Sequence, residues 1–491
     1  MQAIRWSRAS WFSRPGLALA GALLCCGTQA ATVEPELATR LARDTGVQRY
    51  PVILRLVQQA DAAALSQRVA SVAQGQRGGR LLEALKAFAV PQQAALLREL
   101  NARKAENVVS LVTVNAVAAH LGARDIRELS QRSDVASIRY DLGLLAPSRR
   151  LIADPCRPAR PTPRQRLPKS CRDEPRAPEV LNAAAFDSKL PASATVSALG
   201  AAAAWQSGFT GKGVTVAIVD TGVDPAHPDL AGSFRGGAAD WFDPHGEHKR
   251  PVDRQGHGTQ IAGLVVGTGA SGQTLGVAPQ ARWIAARVYN NRNIGRLSEV
   301  HRVLAWLLDP DGNPATADAP QVVLNAWGLG DRPGTCDEEF ASDLRWLRAA
   351  GMHVVFAAGN GGPTENSSVS PANNAGVLSV GALDAAGQQA MFTSRGVSAC
   401  DARPYPDLNA PGESVRTTDL SAGGIATTTM GTGTSFAAAL VAGELALLVQ
   451  ARPEMTVPDR EALLRSAAGD AQPPLARALG LATGPARERL P

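Results

Sequence analysis

Three short motifs carry residue types that could act together as a carboxylate, a base and a nucleophile. Asp220 follows the apolar stretch 214–219, and a carboxylate at the C-terminal end of a parallel strand lies where α/β sheets place their functional sites. His257 stands between two glycines at a predicted helix start. Ser435 follows a Gly-rich turn at the start of an Ala-rich helical stretch, where unpaired backbone N–H groups favour an oxyanion.

Each of these residues also has an ordinary structural explanation, as a strand-end Asp, a helix-capping His and an N-capping Ser. The chain order Asp, His, Ser is the order of the subtilisin triad, and the chymotrypsin and α/β-hydrolase triads are ordered differently. Taken together, the motifs therefore predict nucleophilic acyl transfer by a triad.

Residues 208–468 resemble the subtilisin-like serine proteases. The matching motifs are 220–230, 256–263, 275–279, 357–360 and 433–435. The resemblance implies that Ser435 attacks the scissile carbonyl, that His257 moves its proton and that Asp220 orients the imidazole. It also implies that the Asn360 side chain donates to the oxyanion together with the backbone N–H of Ser435.

The same resemblance implies which residues bind the substrate backbone. They are Ala326, Trp327, Gly328, Ala358 and Gly359. Where the family often has Asn-Ser-Trp-Gly, this chain has Asn-Ala-Trp-Gly, and pairing through backbone groups should tolerate the alanine. No cofactor and no catalytic metal are expected.

Metal and nucleotide sites are poorly supported. The family's calcium loop often follows the His helix, but here 267–273 contains no carboxylate, so structural calcium is not expected, with Asp229 as the remaining candidate ligand. The GxGxxG match at 267–272 follows a helix instead of joining a strand to a helix, which argues against a dinucleotide site. His245 and His248 lie in a polar loop and are weak metal candidates.

The elements that must position these residues follow an α/β pattern from about residue 199 onward, typical of a parallel sheet flanked by helices. The predicted strands are 214–219, 282–288, 322–324, 353–357 and 378–380. The predicted helices are 258–267, 298–308, 340–350 and 434–451. We therefore assign 199–491 to a subtilisin-like catalytic domain.

Residues 31–146 predict a separate small α+β domain. The predicted strands are 52–57, 108–117 and 135–140, and the helices are 60–73, 81–106 and 123–132, with Pro91 expected to break or kink the second helix. Such a domain before a subtilisin-like domain resembles the family's inhibitory, ferredoxin-like propeptide, in which 114–118 would be the central strand motif. The resemblance implies that 141–146 lies in the active-site cleft as a product-like strand.

Residues 1–30 predict a secretory signal peptide, with three arginines before an apolar stretch too short to span a membrane. A lipoprotein signal at Cys25 or Cys26 is a poorer fit, because the preceding residues are not small. Export leaves four cysteines, for which three pairings exist, and we favour Cys156 with Cys171 and Cys336 with Cys400.

Residues 147–198 predict a linker, because its first part, 147–178, holds eight prolines and nine basic residues. The net charge of the 491-residue chain is +6, but the parts 1–30, 31–146, 147–178 and 179–491 carry +3, +4, +6 and −7. This distribution does not support a nucleic-acid-binding face over the whole protein. It suggests that the basic N-terminal part docks on the acidic C-terminal part.

The sequence thus predicts an exported serine endopeptidase, made as an autoinhibited precursor that acts on proteins or peptides. A catalytically silent protease-like protein that binds peptides in its groove is the alternative. An anion-binding role of the Arg-rich linker is a third hypothesis and is compatible with either.

Overall fold

The computed structural model describes residues 30–147, 185–330, 332–467 and 474–481. The predicted signal peptide and most of the linker, with Cys156 and Cys171, lie outside the described residues. The described residues form a small N-terminal domain and a larger C-terminal domain that pack against each other.

The N-terminal domain is a mixed α/β unit built on a five-stranded sheet. Its elements are β1 (Thr32–Val33), α1 (Pro35–Ala42), β2 (Arg49–Leu56), α2 (Ala62–Ala70), α3 (Arg77–Ala102), β3 (Glu106–Leu111), β4 (Ala116–Gly122), α4 (Ala123–Leu129), β5 (Val135–Tyr140) and β6 (Gly143–Leu145). The antiparallel order β5-β2-β4-β3 is that of ferredoxin-like domains, and β1 extends the edge parallel to β5. Strand β6 lies outside this sheet.

Two predicted details of this domain are wrong. The single strand predicted at 108–117 is a hairpin, because the chain turns at Val112–Val114 and Asn115 adopts the left-handed conformation (φ 39°), which Asn tolerates better than most residues. Pro91 does not break α3, which runs for 26 residues through it. Pro91 is exposed, so the carbonyl that loses its helical partner faces water.

The C-terminal domain contains the predicted parallel sheet. Its elements are α5 (Ala194–Ala198), α6 (Ala201–Gln206), β7 (Thr215–Asp220), α7 (Pro228–Ala231), β8 (Trp241–Phe242), α8 (His257–Val266), β9 (Arg282–Arg287), β10 (Ile294–Arg296), α9 (Leu297–Trp306), β11 (Val322–Asn325), α10 (Ala341–Ala349), β12 (His353–Ala357), β13 (Leu378–Leu383), β14 (Gly396–Val397), β15 (Pro404–Tyr405), β16 (Leu408–Pro411), β17 (Val415–Thr418), β18 (Thr428–Gly431), α11 (Thr434–Ala451), α12 (Val457–Ala467) and α13 (Pro474–Ala478).

Seven strands pair in the order β16-β13-β12-β11-β7-β9-β8, and every pair is parallel. All five predicted strands belong to this sheet, which confirms the predicted α/β class. Strands β8 and β16 at its edges were not predicted because they are short and carry little apolar pattern.

Apolar layers cover both faces of the sheet. Along β7, Val216 and Ile218 pack in the layer that contains α8 and α11, while Ala217 and Val219 pack in the layer that contains α9 and α10. This alternation is the period of two expected of a strand buried on both faces. Among the described helices, only α11 is long and apolar enough to cross a membrane, and it is 83% buried inside the protein, as a core helix is.

Residues near the domain ends also pack on the C-terminal domain. Val196 of α5 lies in its core, so the chain joins this domain before residue 199.

The predicted disulfide between Cys336 and Cys400 is present. The predicted disulfide between Cys156 and Cys171 lies outside the described residues and stays a prediction.

The start of α3 fits tightly against the loop that follows α9. A Cβ atom at Gly78 would lie 2.2 Å from the backbone oxygen of Leu308, and one at Gly79 would lie 2.6 Å from the Cα of Pro314. The two domains therefore approach backbone to backbone at this point.

We expect Gly78→Ala to destabilise the full chain, because overpacking typically costs about 1–3 kcal/mol and here the obstacle is backbone. This loss of stability should exceed the roughly 1 kcal/mol by which Ala stabilises a helix relative to Gly. Thermal unfolding followed by circular dichroism checks this. Gly330→Ala is the matched control, since nothing lies within 4 Å of its added Cβ. An equal Tm for both variants would contradict the tight contact.

Candidate active site

Asp220 and His257 form a buried hydrogen-bonded pair. Asp220 ends β7, an inner strand of the sheet, and His257 is the first residue of α8. The Nδ1 atom of His257 lies 2.8 Å from Oδ1 of Asp220, which is fully buried and also accepts a hydrogen bond from the backbone N–H of Thr221 at 2.8 Å. Because an ionised carboxylate only accepts, Nδ1 carries the proton and Nε2 is the basic nitrogen.

Two glycines allow this pair to form. A Cβ at Gly258 would lie 1.9 Å from the backbone oxygen of Gly222, and one at Gly222 would lie 1.9 Å from that of Val252. Gly222 also has a positive φ of 109°, which side chains rarely adopt. The glycines of both motifs are therefore required by the close approach of α8 to the loop after β7.

Asp253 organises the start of α8, although no sequence motif singled it out. Its carboxylate accepts hydrogen bonds from the backbone N–H groups of Gln255, Gly256 and Thr259 and from the hydroxyls of Thr221 and Thr259, at 2.7–3.0 Å. Burial raises the pKa of Asp253, and these hydrogen bonds act against the rise. One buried carboxylate thus joins the Asp220 loop to the helix that bears His257.

Ser435 lies in the first turn of α11, which packs against α8. Gly433 precedes the helix with a φ of 148°, a conformation that favours glycine. The ring of Phe436 contacts the His257 ring edge to face, with centroids 6.1 Å apart. The Ser435 hydroxyl lies 3.4 Å from the carbonyl oxygen of Ala326. The helix start thus brings Ser435 to the end of β11 and its neighbour Phe436 against His257.

Asn360 is oriented by the residue that precedes Ser435. Its Oδ1 accepts hydrogen bonds from the backbone N–H and the hydroxyl of Thr434, at 3.0 and 3.1 Å, and the Thr434 hydroxyl accepts one from the N–H of Gly359. Among the described residues, the Nδ2 group of Asn360 meets no acceptor, and Asn360 is exposed. Its amide N–H groups are therefore available beside the start of α11.

At two of the other predicted substrate-binding residues, Trp327 and Ala358, part of the residue already contacts the protein itself. The side chain of Trp327 packs against Phe340 and Phe356 in the core, so only its backbone can face the cleft. The carbonyl of Ala358 is occupied by the hydroxyl of Tyr405 at 2.6 Å. We therefore expect the residues beside Ala358 to form the backbone hydrogen bonds to a substrate.

Gly328 and Gly359 both lie against the side chain of Val369. Added Cβ atoms at these positions would lie 3.0 and 2.9 Å from the methyl groups of Val369. A side chain at either position would therefore press against Val369.

A second edge of the cleft was missed by sequence reasoning. Strand β10 pairs antiparallel with β6 of the N-terminal domain, with Leu144 opposite Gly295. The chain then continues to Pro147, whose carbonyl accepts a 2.6 Å hydrogen bond from the Gln255 side chain, and Gln255 also accepts one from the N–H of His257. The N-terminal domain therefore reaches from the β10 edge to the His257 turn. Three-residue β10 carries no strand pattern that could have revealed it.

The remaining candidates are explained by local contacts. Oδ1 of Asp229 accepts hydrogen bonds from the backbone N–H groups of Gly269 and Ala270 at 2.5 Å each, so this carboxylate closes the 267–273 loop directly. His245 is held by Glu299 and the Val288 carbonyl. The GxGxxG stretch follows α8, as predicted.

Comparisons with known proteins show what this chain is similar to. The family described as the subtilase family matches residues 211–481. Bacillopeptidase F of Bacillus subtilis (strain 168) is 29% identical over 417 residues, which are 80% of this chain and 27% of that protein. Serine protease AprX of the same strain is 35% identical over 285 residues, 52% of this chain and 62% of AprX. The chain thus spans less than two thirds of either relative.

A solved structure described as a cold adapted subtilisin-like serine proteinase aligns with a TM-score of 0.44 and 26% identity, covering 54% of this chain and 85% of that one.

We expect Asp253→Asn to lower the free energy of unfolding by about 2–4 kcal/mol. Both carboxylate oxygens of Asp253 accept hydrogen bonds, so whichever way the Asn amide is turned, its NH₂ group faces donors instead of acceptors. Urea unfolding at pH 7 measures the change. The matched control is Asp384→Asn, whose carboxylate accepts from Ala386 and Gln388 in an exposed turn and should matter by less than about 1 kcal/mol. A similar loss in both variants would show that Asp253 has no special structural role.

Proposed function

Because this chain belongs to the subtilase family, we propose that it is a serine endopeptidase that hydrolyses proteins or peptides through an acyl-enzyme. The observation that carries the proposal is the buried hydrogen bond between Asp220 and His257, at the end of β7 and beside α11, which carries Ser435 in its first turn. A buried carboxylate that only orients an imidazole is the arrangement needed to make that imidazole a base.

In the proposed mechanism, Nε2 of His257 takes the Ser435 proton as Oγ attacks the scissile carbonyl. The imidazolium that forms is stabilised by Asp220 and then protonates the leaving amine. Water repeats the sequence on the acyl-enzyme, with His257 again as base and then as acid.

The oxyanion of each tetrahedral intermediate would be bound by Nδ2 of Asn360 and the backbone N–H of Ser435. Thr434 fixes the Asn360 amide by its Oδ1, so the N–H groups are preorganised and need no reorientation during the reaction. The α11 dipole acts in the same direction. Loss of one such donor typically lowers kcat about 10²- to 10³-fold.

Substrates would bind as an extended strand between β10 and residues 326–328. The pairing of β6 with β10 supports this mode, because it uses backbone groups that any peptide offers. No cofactor and no catalytic metal enter this mechanism.

The proposal is tested by labelling the purified protein with a fluorophosphonate, before and after removal of the N-terminal domain. We expect label on Ser435 that is abolished by Ser435→Ala and lowered at least about 10³-fold in rate by His257→Ala, because the hydroxyl is not activated without its base. A chain that never labels, yet binds peptides, would instead be the catalytically silent peptide-binding protein.

We further propose that residues 31–146 are an inhibitory propeptide and that the chain is exported as a precursor. Strand β6 occupies the β10 edge that a substrate would use. The proposed signal peptide and the basic linker would be removed on maturation, which leaves an acidic enzyme, since residues 179–491 carry a net charge of −7.

Opposite charges meet where this domain docks. The guanidinium of Arg139 contacts Asp337 and Glu339 at 2.6 and 3.0 Å, and Arg55 lies 3.4 Å from Glu339. The carboxylate of Asp141 accepts hydrogen bonds from the N–H and hydroxyl of Ser298, in the first turn of α9. The N-terminal domain thus supplies cations for the half-buried Asp337 and the buried Glu339, and a cap for a helix.

We expect Arg139→Gln to weaken the association of the two domains about 30-fold or more, since removing one partner of a buried pair costs at least about 2 kcal/mol. The chain carries Ser435→Ala, its linker is nicked with trypsin, and fragment association is measured by dilution and gel filtration. Arg124→Gln, which breaks an exposed pair with Glu128, is the control. Equal dissociation constants for the two variants would count against charge-based docking.

Low pH should also weaken the association of the two domains. Burial acts to raise the pKa of Glu339, but His301, Arg55 and Arg139 together lower it to about 2. Only Arg55 and Arg139 belong to the N-terminal domain, so their share of this lowering favours the docked state above the ordinary carboxylate pKa, and this stabilisation is lost as pH falls through the lowered value. Association of the nicked fragments should therefore weaken between about pH 4.5 and pH 2.

A further inference from the structure

A loop outside the active site gathers three carboxylates. Asp309, Asp311 and Asp318 lie between α9 and β11, and one carboxylate oxygen from each lies within 4.8 Å of the others. Within the described part of the chain, none of the three forms an ion pair with Lys, Arg or His within 4.0 Å. Three like charges this close repel one another unless a cation joins them.

Asp309 gives the second observation. Its side chain is 6% exposed, and its buried Oδ1 atom has no hydrogen-bond partner among the described residues. Burial raises the pKa of Asp309 and of Asp318, the charge of Asp311 adds to both shifts, and the charges of Lys86 near Asp309 and Arg235 near Asp318 act against them. A buried, unpartnered carboxylate oxygen beside two other carboxylates points to a missing positive ligand.

We propose that Asp309, Asp311 and Asp318 bind a Ca²⁺ ion. Calcium binds oxygen ligands at about 2.3–2.6 Å, so two ligands on opposite sides of the ion are about 4.6–5.2 Å apart. The three oxygens lie within 4.8 Å of one another, close enough to surround a single cation. Magnesium demands near-ideal octahedral coordination and keeps several of its waters, whereas calcium accepts irregular sets of carboxylate ligands, so we assign calcium.

The hydrogen bonds inside the loop leave room for the ion. The Asp311 carboxylate accepts from the N–H of Asn313 and the hydroxyl of Thr316, and Oδ2 of Asp318 accepts from the N–H of Asp311. Each carboxylate oxygen has two lone pairs, so these bonds can coexist with metal coordination. They also hold Asp311 and Asp318 in position before the ion arrives.

The site lies where the N-terminal domain docks. Gln76, next to the start of α3, donates a 2.6 Å hydrogen bond to the carbonyl of Ala315 within the same loop. The loop also holds Pro314, against which Gly79 packs. A bound ion would therefore fix the loop conformation that the N-terminal domain contacts.

The test uses the full chain with Ser435→Ala, freed of metal with EDTA and dialysed. Calcium binding is measured by isothermal titration, and Tb³⁺ luminescence excited through tryptophan gives a second readout, since Trp306 ends the helix before Asp309. We expect Asp309→Asn and Asp311→Asn each to bind one Ca²⁺ fewer than the parent. Asp384→Asn, at a partly exposed turn residue outside this loop, is the matched control and should keep the parent stoichiometry.

Thermal unfolding distinguishes loss of a ligand from a damaged fold. In EDTA, Asp309→Asn should unfold at or above the parent Tm, because it removes a buried negative charge beside two others. In 10 mM CaCl₂ the parent should gain about 3 °C or more over this variant. Absence of saturable Ca²⁺ binding by the parent, or unchanged stoichiometry in both variants, would overturn the proposal.

Discussion

The candidate site depends on one close approach, that of the first turn of α8 to the loop after β7. Gly222 and Gly258 meet with no room for a side chain, and Asp253 joins the two segments through buried hydrogen bonds. Only at this separation can the His257 imidazole reach the Asp220 carboxylate at 2.8 Å. The position of every other site residue follows from what packs against α8.

Helix α11 is the element that α8 positions next. It is buried on nearly all sides, and its N-terminus brings Ser435 beside Ala326 and Phe436 against His257. Thr434 then fixes Asn360 from the same turn. The proposed nucleophile, base and amide donor are thus arranged by a single helix–helix contact and a single threonine.

A second physical theme is the buried charge between the domains. Burial acts to lower the pKa of His301, but Asp343 and Glu339 together raise it to about 9, so the imidazole is a cation at neutral pH. Glu339 is in turn shared with Arg55 and Arg139 of the N-terminal domain. A buried carboxylate of this kind is costly without its partners, so the network specifies where the N-terminal domain docks more than it adds stability.

Much of this arrangement was readable from the sequence. The alternation of apolar strands and helices predicted the parallel sheet because that period reflects burial on both faces, and the Asp, His and Ser motifs were visible because each carries glycines that a close backbone approach requires. The Cys336–Cys400 pair was also predicted correctly.

Tertiary structure alone decided the rest. The break expected at Pro91 did not occur because its missing hydrogen bond faces water, and the strand at 108–117 became a hairpin because Asn115 accepts a left-handed turn. The role of Asp253, the β10 edge and the aspartates around Asp309 depend on contacts between segments far apart in sequence or on which oxygen is buried. A linear pattern encodes local period and backbone freedom, whereas burial and the identity of a partner exist only once the chain has folded.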